Sequence, residues 1–273
     1  ELELGPVSGE GKTKAAAFAF RPDLAVSVGV VGADVSAVRS GGEAVQVLIH
    51  DPESRLMLLG LSAEQGAKLP ELGSGQDLRP GAALSLADGG KSRVVSWVRH
   101  FGKRRLPFAF LRVTFGEKIP SPGSPLFDEG GKLVAITHQA TPDDEKSCYA
   151  LPVEVLTRVL GDLDARRPMR RCWVGCHLDS PDAHPVVAGV RPDSPAREAG
   201  LQKGDVLLSI DGRRLENYDD VVNAFYYLVA GREVEFEVLR GLETLKIAVV
   251  PVVDPRYSLR EAEGHSGEGA DNE

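Results

Sequence analysis

Short runs of β-favouring residues, each closed by a turn signal, are the feature that most constrains this chain. They recur between about residue 13 and residue 155, at 44–50, 55–60, 82–86, 93–98, 107–115 and 132–138. Such folds consist of many short strands joined by tight turns, so this spacing predicts an all-β barrel or sandwich. The fold class that follows is mainly β.

A change of period marks the end of this region. Apolar residues at helical spacing over 153–163 predict a helix that closes the first domain. The Arg166-Arg167-Pro168 stretch then ends the helix and forms a linker. A chain of 273 residues exceeds the usual size of one domain, so a second domain is expected beyond it.

Charge and composition favour an ordinary globular protein. Apolar residues make up 42% of the chain and aromatic residues 6%, while the net charge is −8. Basic clusters at 99–105 and 166–171 read as a solvated hairpin tip and a solvated linker, because the chain is acidic overall; no nucleic-acid partner is expected. There is no apolar run of bilayer length and no signal core, but a leader could have been trimmed before Glu1.

The three cysteines indicate neither a disulfide framework nor a zinc site. On one extended strand, Cys172 and Cys176 would lie roughly 13 Å apart, beyond disulfide reach. We therefore expect Cys148, Cys172 and Cys176 to be small buried hydrophobes. His177 has no second ligand pair, so no metal and no cofactor is predicted.

The segment after residue 170 carries a dense pattern of glycine, proline and apolar positions. Its core is Val190-Arg191-Pro192-Asp193-Ser194-Pro195-Ala196, followed by Ala199-Gly200-Leu201, Gly204-Asp205 and Gly212. This phrase resembles a bacterial PDZ domain over 170–252. Asn217 is expected to cap a helix over 218–229 that Gly231 ends, with strands at 233–239 and 245–250.

The PDZ resemblance implies that a peptide adds as a strand to the sheet edge, with backbone amides of a glycine-containing loop holding its terminal carboxylate. Trp173, Val174, Gly175 and Cys176 occupy that loop, where glycine allows a close backbone approach. Val222, Phe225 and Val229 are candidates for the facing helix wall. Val221 and Phe225 are assigned to the core by default, which leaves Val222 as the helix candidate.

A second motif lies at 121–127, Ser-Pro-Gly-Ser-Pro-Leu-Phe, followed by Gly130-Gly131-Lys132-Leu133-Val134-Ala135-Ile136. It resembles the GNSGGPL…G.V.GI signature of the trypsin-like HtrA (DegP/DegQ) proteases. Segments at 18–31, 51–61, 72–82 and 148–156 extend this resemblance in the right order. It implies a trypsin-like double β-barrel domain before the PDZ domain.

In this register the catalytic groups are missing. The serine position holds Pro122, the histidine position Val30 and the aspartate position Arg55. The two oxyanion amides would come from Pro122 and Pro120, and proline has no N–H to donate. The sequence therefore predicts a pseudoprotease with no catalytic residues.

The expected domains are an N-terminal extension at 1–12, the pseudoprotease domain at 13–165, the PDZ domain at 170–252 and a disordered acidic tail at 253–273. The predicted function is a peptide-binding adaptor or scaffold for C-terminal or unfolded segments of other proteins. By resemblance it works in the periplasm or cell envelope, and homo-oligomers remain open. The alternatives are a chaperone-like holdase, or an active endopeptidase that pairs Ser121 or Ser124 with His50, His100 or His138.

Overall fold

The structure is a computed structural model, and it describes residues 1–6, 13–61, 69–166, 170–179 and 184–256. The chain forms two compact units. The first comprises Glu1–Arg104 and Ala109–Met169, and the second comprises Arg105–Phe108 and Arg170–Glu273.

Two four-stranded antiparallel sheets make up the N-terminal half of the first unit. Their strand orders are β2-β1-β5-β6 and β3-β4-β8-β7. The central strands β4 and β8 are buried almost throughout, which explains why nearly all their residues are apolar. The bounds are β1 Leu2–Pro6, β2 Thr13–Ala15, β3 Ala17–Arg21, β4 Leu24–Val28, β5 Ala33–Ser40, β6 Glu43–Ala44, β7 Val47–His50 and β8 Leu56–Gly60.

One apolar core joins these two sheets. Leu2, Leu4 and Val38 of the first sheet share it with Met57 and Leu59 of the second. Residues 2–6 therefore belong to the folded unit, which corrects the expected N-terminal extension at 1–12. Alternate side chains of β1 point into the core, as the period of two in a strand requires. Residues 7–12 lie outside the described part of the chain.

The second half of the first unit is a closed barrel, with strand order β10-β11-β14-β13-β12-β9. Its strands are β9 Ala83–Leu86, β10 Lys91–Phe101, β11 Arg104–Phe115, β12 Pro125–Phe127, β13 Leu133–Thr141 and β14 Asp144–Pro152. Helix α1, Val153–Asp164, follows at once and confirms the predicted closing helix. Gly102, with φ +60°, turns β10 into β11, so the first basic cluster is a hairpin tip as predicted.

The second unit combines strands with two helices, as expected for the predicted class. A four-stranded sheet has the order β19-β18-β20-β21, and β15-β22 and β16-β17 form two smaller pairs. Along β20, Val234, Phe236 and Val238 are buried while Glu235 is exposed, so one face covers the core. The bounds are β15 Cys172–Trp173, β16 Cys176–Leu178, β17 Val187–Val190, α2 Pro195–Glu198, β18 Val206–Ile210, β19 Arg213–Arg214, α3 Tyr218–Tyr226, β20 Val234–Arg240, β21 Glu243–Val249 and β22 Val252–Val253.

Helix α3 begins as predicted and ends early. The Asn217 side chain accepts a hydrogen bond from the Asp220 amide at 3.1 Å, which confirms the N-cap. The helix stops at Tyr226, so the prediction that Gly231 ends it is wrong. Gly231, at φ +78°, instead donates its amide to the Pro251 carbonyl at 2.8 Å. None of the helices in the described ranges has the length and apolarity needed to cross a bilayer.

Two further expectations change at the edges of the second unit. Cys172 and Cys176 lie on separate strands, β15 and β16, rather than on the single extended strand assumed for them. Neither forms a disulfide, and both are only partly buried. Val253 pairs with Cys172 and thus belongs to the ladder rather than to the acidic tail that was expected from 253 onward. Residues 257–273 of that tail lie outside the described part of the chain.

Candidate functional site

The positions assigned to the lost histidine and aspartate are neighbours in the structure. Val30 follows β4 in a turn that the Ala33 amide closes by donating to the Val30 carbonyl at 3.1 Å. Just before it, the Gly29 amide donates to the Arg55 carbonyl at 2.7 Å. Arg55 adopts φ +59°, an uncommon conformation for a residue with a side chain, at the start of β8.

The loop that contains Pro122 is connected to β4 through Ala16. The Ala16 amide donates to the Pro122 carbonyl at 2.7 Å, and the Ser27 hydroxyl on β4 donates to the Ala16 carbonyl at 2.7 Å. Gly123 follows with φ +89°, and its amide donates to the Thr137 carbonyl at 2.8 Å. The structure thus brings Val30, Arg55 and Pro122 into one region of the first unit.

Arg55 contacts a buried histidine instead of orienting a catalytic one. Its Nε donates to Nε2 of His138 at 3.2 Å, and its Nη2 lies 2.8 Å from the same nitrogen. Nη2 also donates to Oε1 of Gln139 at 2.5 Å. The His138 ring packs beside Phe110, with ring centroids 4.8 Å apart. The two residues are 83 positions apart, so no local sequence pattern predicts this contact.

This environment keeps His138 neutral. Burial, and then the charge of Arg55, lower the pKa of His138 to about 3, while a hydrogen bond with the Ser54 backbone acts weakly in the opposite direction. A general base for acyl transfer works best with a pKa near the operating pH. His138 is therefore a poor candidate for the base of a rearranged site.

Within the loop, the Ser124 hydroxyl and the Ser121 carbonyl are both hydrogen-bonded. The Ser124 hydroxyl donates to the Ser121 carbonyl at 2.8 Å, and the Thr137 hydroxyl donates to the same carbonyl at 2.8 Å. Among the described residues, no histidine is hydrogen-bonded to either serine hydroxyl. His50 is half-buried, with its pKa lowered by burial, and His100 is exposed at the hairpin tip. For these two serines, the described residues therefore assemble no nucleophile–base pair of the kind that activates a hydroxyl.

The loop at 173–176, which is expected to hold a peptide carboxylate, is tightly packed around Gly175. Gly175 adopts φ +83°, and a β-carbon built there would lie 2.2 Å from Cβ of Ser194 and 2.9 Å from Cζ2 of Trp173. The Gly175 carbonyl accepts from the Arg191 amide at 2.8 Å, and the Val174 carbonyl accepts from the Ala196 amide at 2.8 Å. The loop carbonyls are therefore fixed by the segment that leads into α2.

Two amides of this loop make no hydrogen bond to the described residues. Within the described ranges, the amides of Val174 and Gly175 donate to no other group, although both residues are buried. Two neighbouring backbone N–H groups of this kind are the donors that an anion-binding loop uses. Cys176 then begins β16, whose only strand partner in the described part of the chain is β17, which leaves one edge open to an added strand.

The helix candidates divide between core and surface. Val221 is buried in the core of the second unit, and Phe225 packs on that core with its ring centroid 6.3 Å from that of Phe236. Both default assignments are confirmed. Val222 is only half-buried and remains in part accessible, as a ligand contact requires. No group of three or more His, Cys, Asp or Glu side chains suited to a metal ion occurs among the described residues.

Comparison with protein families identifies the second unit. Residues 172–250 match the PDZ domain family model. A probable periplasmic serine endoprotease, DegP-like, of Pseudomonas fluorescens is 27% identical over 77% of this chain and 49% of its own length. A protein of the same description from Halomonas elongata is 26% identical over 88% of this chain and 56% of its own length. The chain spans about half the length of these curated relatives.

Solved structures extend the likeness to the first unit. The HtrA-type protease AlgW with tripeptide superposes with a TM-score of 0.61 at 19% identity, covering 93% of both chains. The serine endoprotease from Yersinia pestis superposes with a TM-score of 0.54 at 15% identity, again over 93% of both chains. At these identities the likeness concerns the fold. The chain thus has the fold of HtrA-type proteases, a trypsin-like domain followed by a PDZ domain, and it is similar in sequence to DegP-like endoproteases.

Proposed function

We propose that this protein is a catalytically inactive HtrA-like adaptor that binds peptide segments of other proteins through its PDZ domain. Its partners would be proteins with an accessible C-terminus or unfolded segments. The curated relatives are named as periplasmic endoproteases, and this supports a place in the periplasm or cell envelope.

The contact between Arg55 and His138 carries the proposal of inactivity. A cation stands where the resemblance assigns the aspartate that orients the catalytic histidine, and it binds a neutral histidine on β13. Pro122 offers no hydroxyl, and neither Pro120 nor Pro122 has an amide proton for an oxyanion. Acyl transfer would then lack a nucleophile, a base and oxyanion donors at the same time, so we expect none.

Peptide binding is supported by the unpaired amides of Val174 and Gly175 and by the open edge of β16. Two structures of the HtrA-type protease AlgW contain a tripeptide and a decapeptide, which adds support by analogy. A carboxylate bound by these amides would form charge-assisted hydrogen bonds, each worth about 1.5 to 3 kcal/mol.

Matched peptides test the binding. We expect the full chain to bind an acetylated hexapeptide ending in a free valine carboxylate at least tenfold more tightly than the same peptide with an amidated end, because amidation removes the charge. Isothermal titration calorimetry measures both affinities. Equal affinities would show that the loop at 173–176 and the edge of β16 bind internal segments of a peptide or bind no peptide.

A pair of glycine variants locates the binding loop. Gly175→Ala forces a β-carbon into Ser194 and strains a left-handed residue, so we expect it to abolish the preference for the free carboxylate. Gly241→Ala is the matched control, because Gly241 has φ +62° in the β20–β21 hairpin and nothing lies within 4 Å of the added carbon. The control should keep wild-type affinity, and an equal loss in both variants would contradict a local role.

A serine-reactive fluorophosphonate probe and unfolded casein test the inactivity. We expect neither labelling nor cleavage. Turnover that Ser121→Ala or Ser124→Ala abolishes would instead establish a rearranged endopeptidase. Suppression of casein aggregation without cleavage would favour the holdase function over the adaptor.

A further inference from the structure

Ser194 lies directly against the loop at 173–176 of the second unit. It is 1% exposed, and a β-carbon added to Gly175 would lie 2.2 Å from Cβ of Ser194. The Ser194 hydroxyl donates to the Arg191 carbonyl at 2.7 Å, and its oxygen accepts the N-cap hydrogen bond of α2 at 3.2 Å. One buried side chain thus contacts the loop and fixes the segment 191–196 beside it.

This segment determines the direction of the loop carbonyls. The Arg191 amide donates to the Gly175 carbonyl at 2.8 Å, and the Ala196 amide donates to the Val174 carbonyl at 2.8 Å. In a planar trans peptide unit, the C=O group and the following N–H group point in opposite directions. The amides of Gly175 and Cys176 therefore point away from the segment that holds the two carbonyls.

The ladder between β16 and β17 gives the same direction for Cys176. Cys176 faces Val190 across the two strands, and the bond from the Arg191 amide to the Gly175 carbonyl flanks this pair. In an antiparallel ladder, such a bond flanks a non-hydrogen-bonded pair, whose own N–H and C=O groups point away from the partner strand. The Cys176 amide therefore points to the edge of β16 that no other described strand occupies.

We propose that Ser194 is a positioning residue for the carboxylate of a bound peptide. Through the Arg191 carbonyl and through its packing on Gly175, it holds the amides of Gly175 and Cys176 toward the open edge of β16. Donors that are already fixed bind an anion without the cost of ordering them on binding. The inference rests on the function proposed for the PDZ domain, and it assigns the preference for a free C-terminus to a side chain that does not touch the peptide.

A serine variant separates positioning from folding. Ser194→Ala keeps the β-carbon that packs on Gly175 but leaves the Arg191 carbonyl without its donor, so the two loop amides lose their fixed direction. We expect the full chain with this change to bind the acetylated hexapeptide ending in a free valine carboxylate at least fivefold more weakly than the wild-type chain. The affinity for the amidated peptide should change less than twofold, as measured by isothermal titration calorimetry. A purely structural role would weaken both peptides by the same factor.

Asn217→Ala is the matched control, because Asn217 caps α3 of the same unit by accepting from the Asp220 amide at 3.1 Å. It also removes one N-cap, so it should lower the urea midpoint of unfolding by an amount comparable to Ser194→Ala while keeping the wild-type ratio of the two affinities. Ser194→Gly is a second test variant, because glycine is a better N-cap than alanine. It should lose the ratio at least as far as Ser194→Ala, and it serves should Ser194→Ala not fold.

The possible failures are distinguishable. Equal affinities of the wild-type chain for the acid and the amide peptide would overturn the function proposed for the PDZ domain, and the role of Ser194 with it. A wild-type preference that stays unchanged in the Ser194 variants would overturn the role of Ser194 alone. A preference that Asn217→Ala reduces as much as Ser194→Ala would do the same, because any lost helix cap would then have this effect.

Discussion

Gly123 adopts φ +89°, and a β-carbon at this position would lie 2.2 Å from the Ala16 carbonyl. The neighbouring Pro122 contributes only its carbonyl, which accepts from the Ala16 amide. Proline is therefore tolerated at position 122, because the loop uses the carbonyl oxygen of this residue and not its amide. Gly123 and Thr137 hold the shape of the turn through their own hydrogen bonds.

His138 should make the stability of the protein depend on pH. Its pKa is about 3 in the folded chain and about 6.5 when unfolded, so as pH falls below 6.5 the unfolded state binds a proton that the folded state refuses. The resulting loss of stability between pH 7 and pH 5 is about 2 kcal/mol. We expect His138→Gln to remove this loss, as measured by urea unfolding at both pH values.

The control for this experiment is His100→Gln, because His100 is exposed at the hairpin tip. It should show the same pH dependence as the wild-type chain. A His138→Gln variant that keeps the full loss between pH 7 and pH 5 would mean that the buried imidazole already carries a proton.

At the scale of elements, the spacing of apolar residues correctly predicted strands and helices whose type depends on residues close in sequence. The runs at 55–60 and 132–138 are strands, and the helical spacing at 153–163 is α1. The end of α3 was missed because a left-handed glycine four residues further on gave a stronger signal than the ordinary cap at Tyr227. The strand at Leu2–Pro6 was missed because its partners, Thr13–Ala15 and Ala33–Ser40, were not recognised as strands.

A buried carboxylate just before β18 binds the last residue of β20, beside the backbone ladder that joins the two strands. Asp205, with its side chain 1% exposed, accepts from Nε and Nη2 of Arg240 at 2.7 and 2.8 Å and from the Gln202 amide at 2.8 Å. Asp205→Asn leaves the guanidinium without its counter-charge, so we expect a loss of about 2 to 3 kcal/mol in the free energy of unfolding.

Glu235→Gln is the comparison for this loss. Its partner Lys246 bonds it at 2.8 Å on the exposed face of β20 and β21, where both side chains are more than half exposed. An exposed pair of this kind contributes little, so the change should be within about 0.5 kcal/mol by thermal unfolding. Similar losses in the two variants would show that burial of Asp205 does not set its contribution.

At the scale of the whole molecule, each unit has a core made from its own residues. Phe236, Leu207 and Val187 belong to the core of the second unit, while Leu111, Leu126 and Ala150 belong to that of the barrel. This could be predicted from sequence, because each domain is a separate run of periodic apolar residues. The Arg55–His138 contact and the unpaired amides at Val174 and Gly175 could not, since each depends on segments that only the fold brings together.

Substitutions at the assigned triad positions test whether the proposed loss of catalysis extends beyond three side chains. We expect the full chain with Val30→His, Arg55→Asp and Pro122→Ser together to show no casein turnover. Pro120 still withholds an oxyanion donor, and the loss of one such donor costs about a hundredfold or more in rate. Adding Pro120→Gly is the matched comparison, because it restores that amide and should be the first variant in which a fluorophosphonate label accumulates on residue 122. Cleavage by the triple variant at the rate of the quadruple variant would mean that Pro120 does not occupy the oxyanion position.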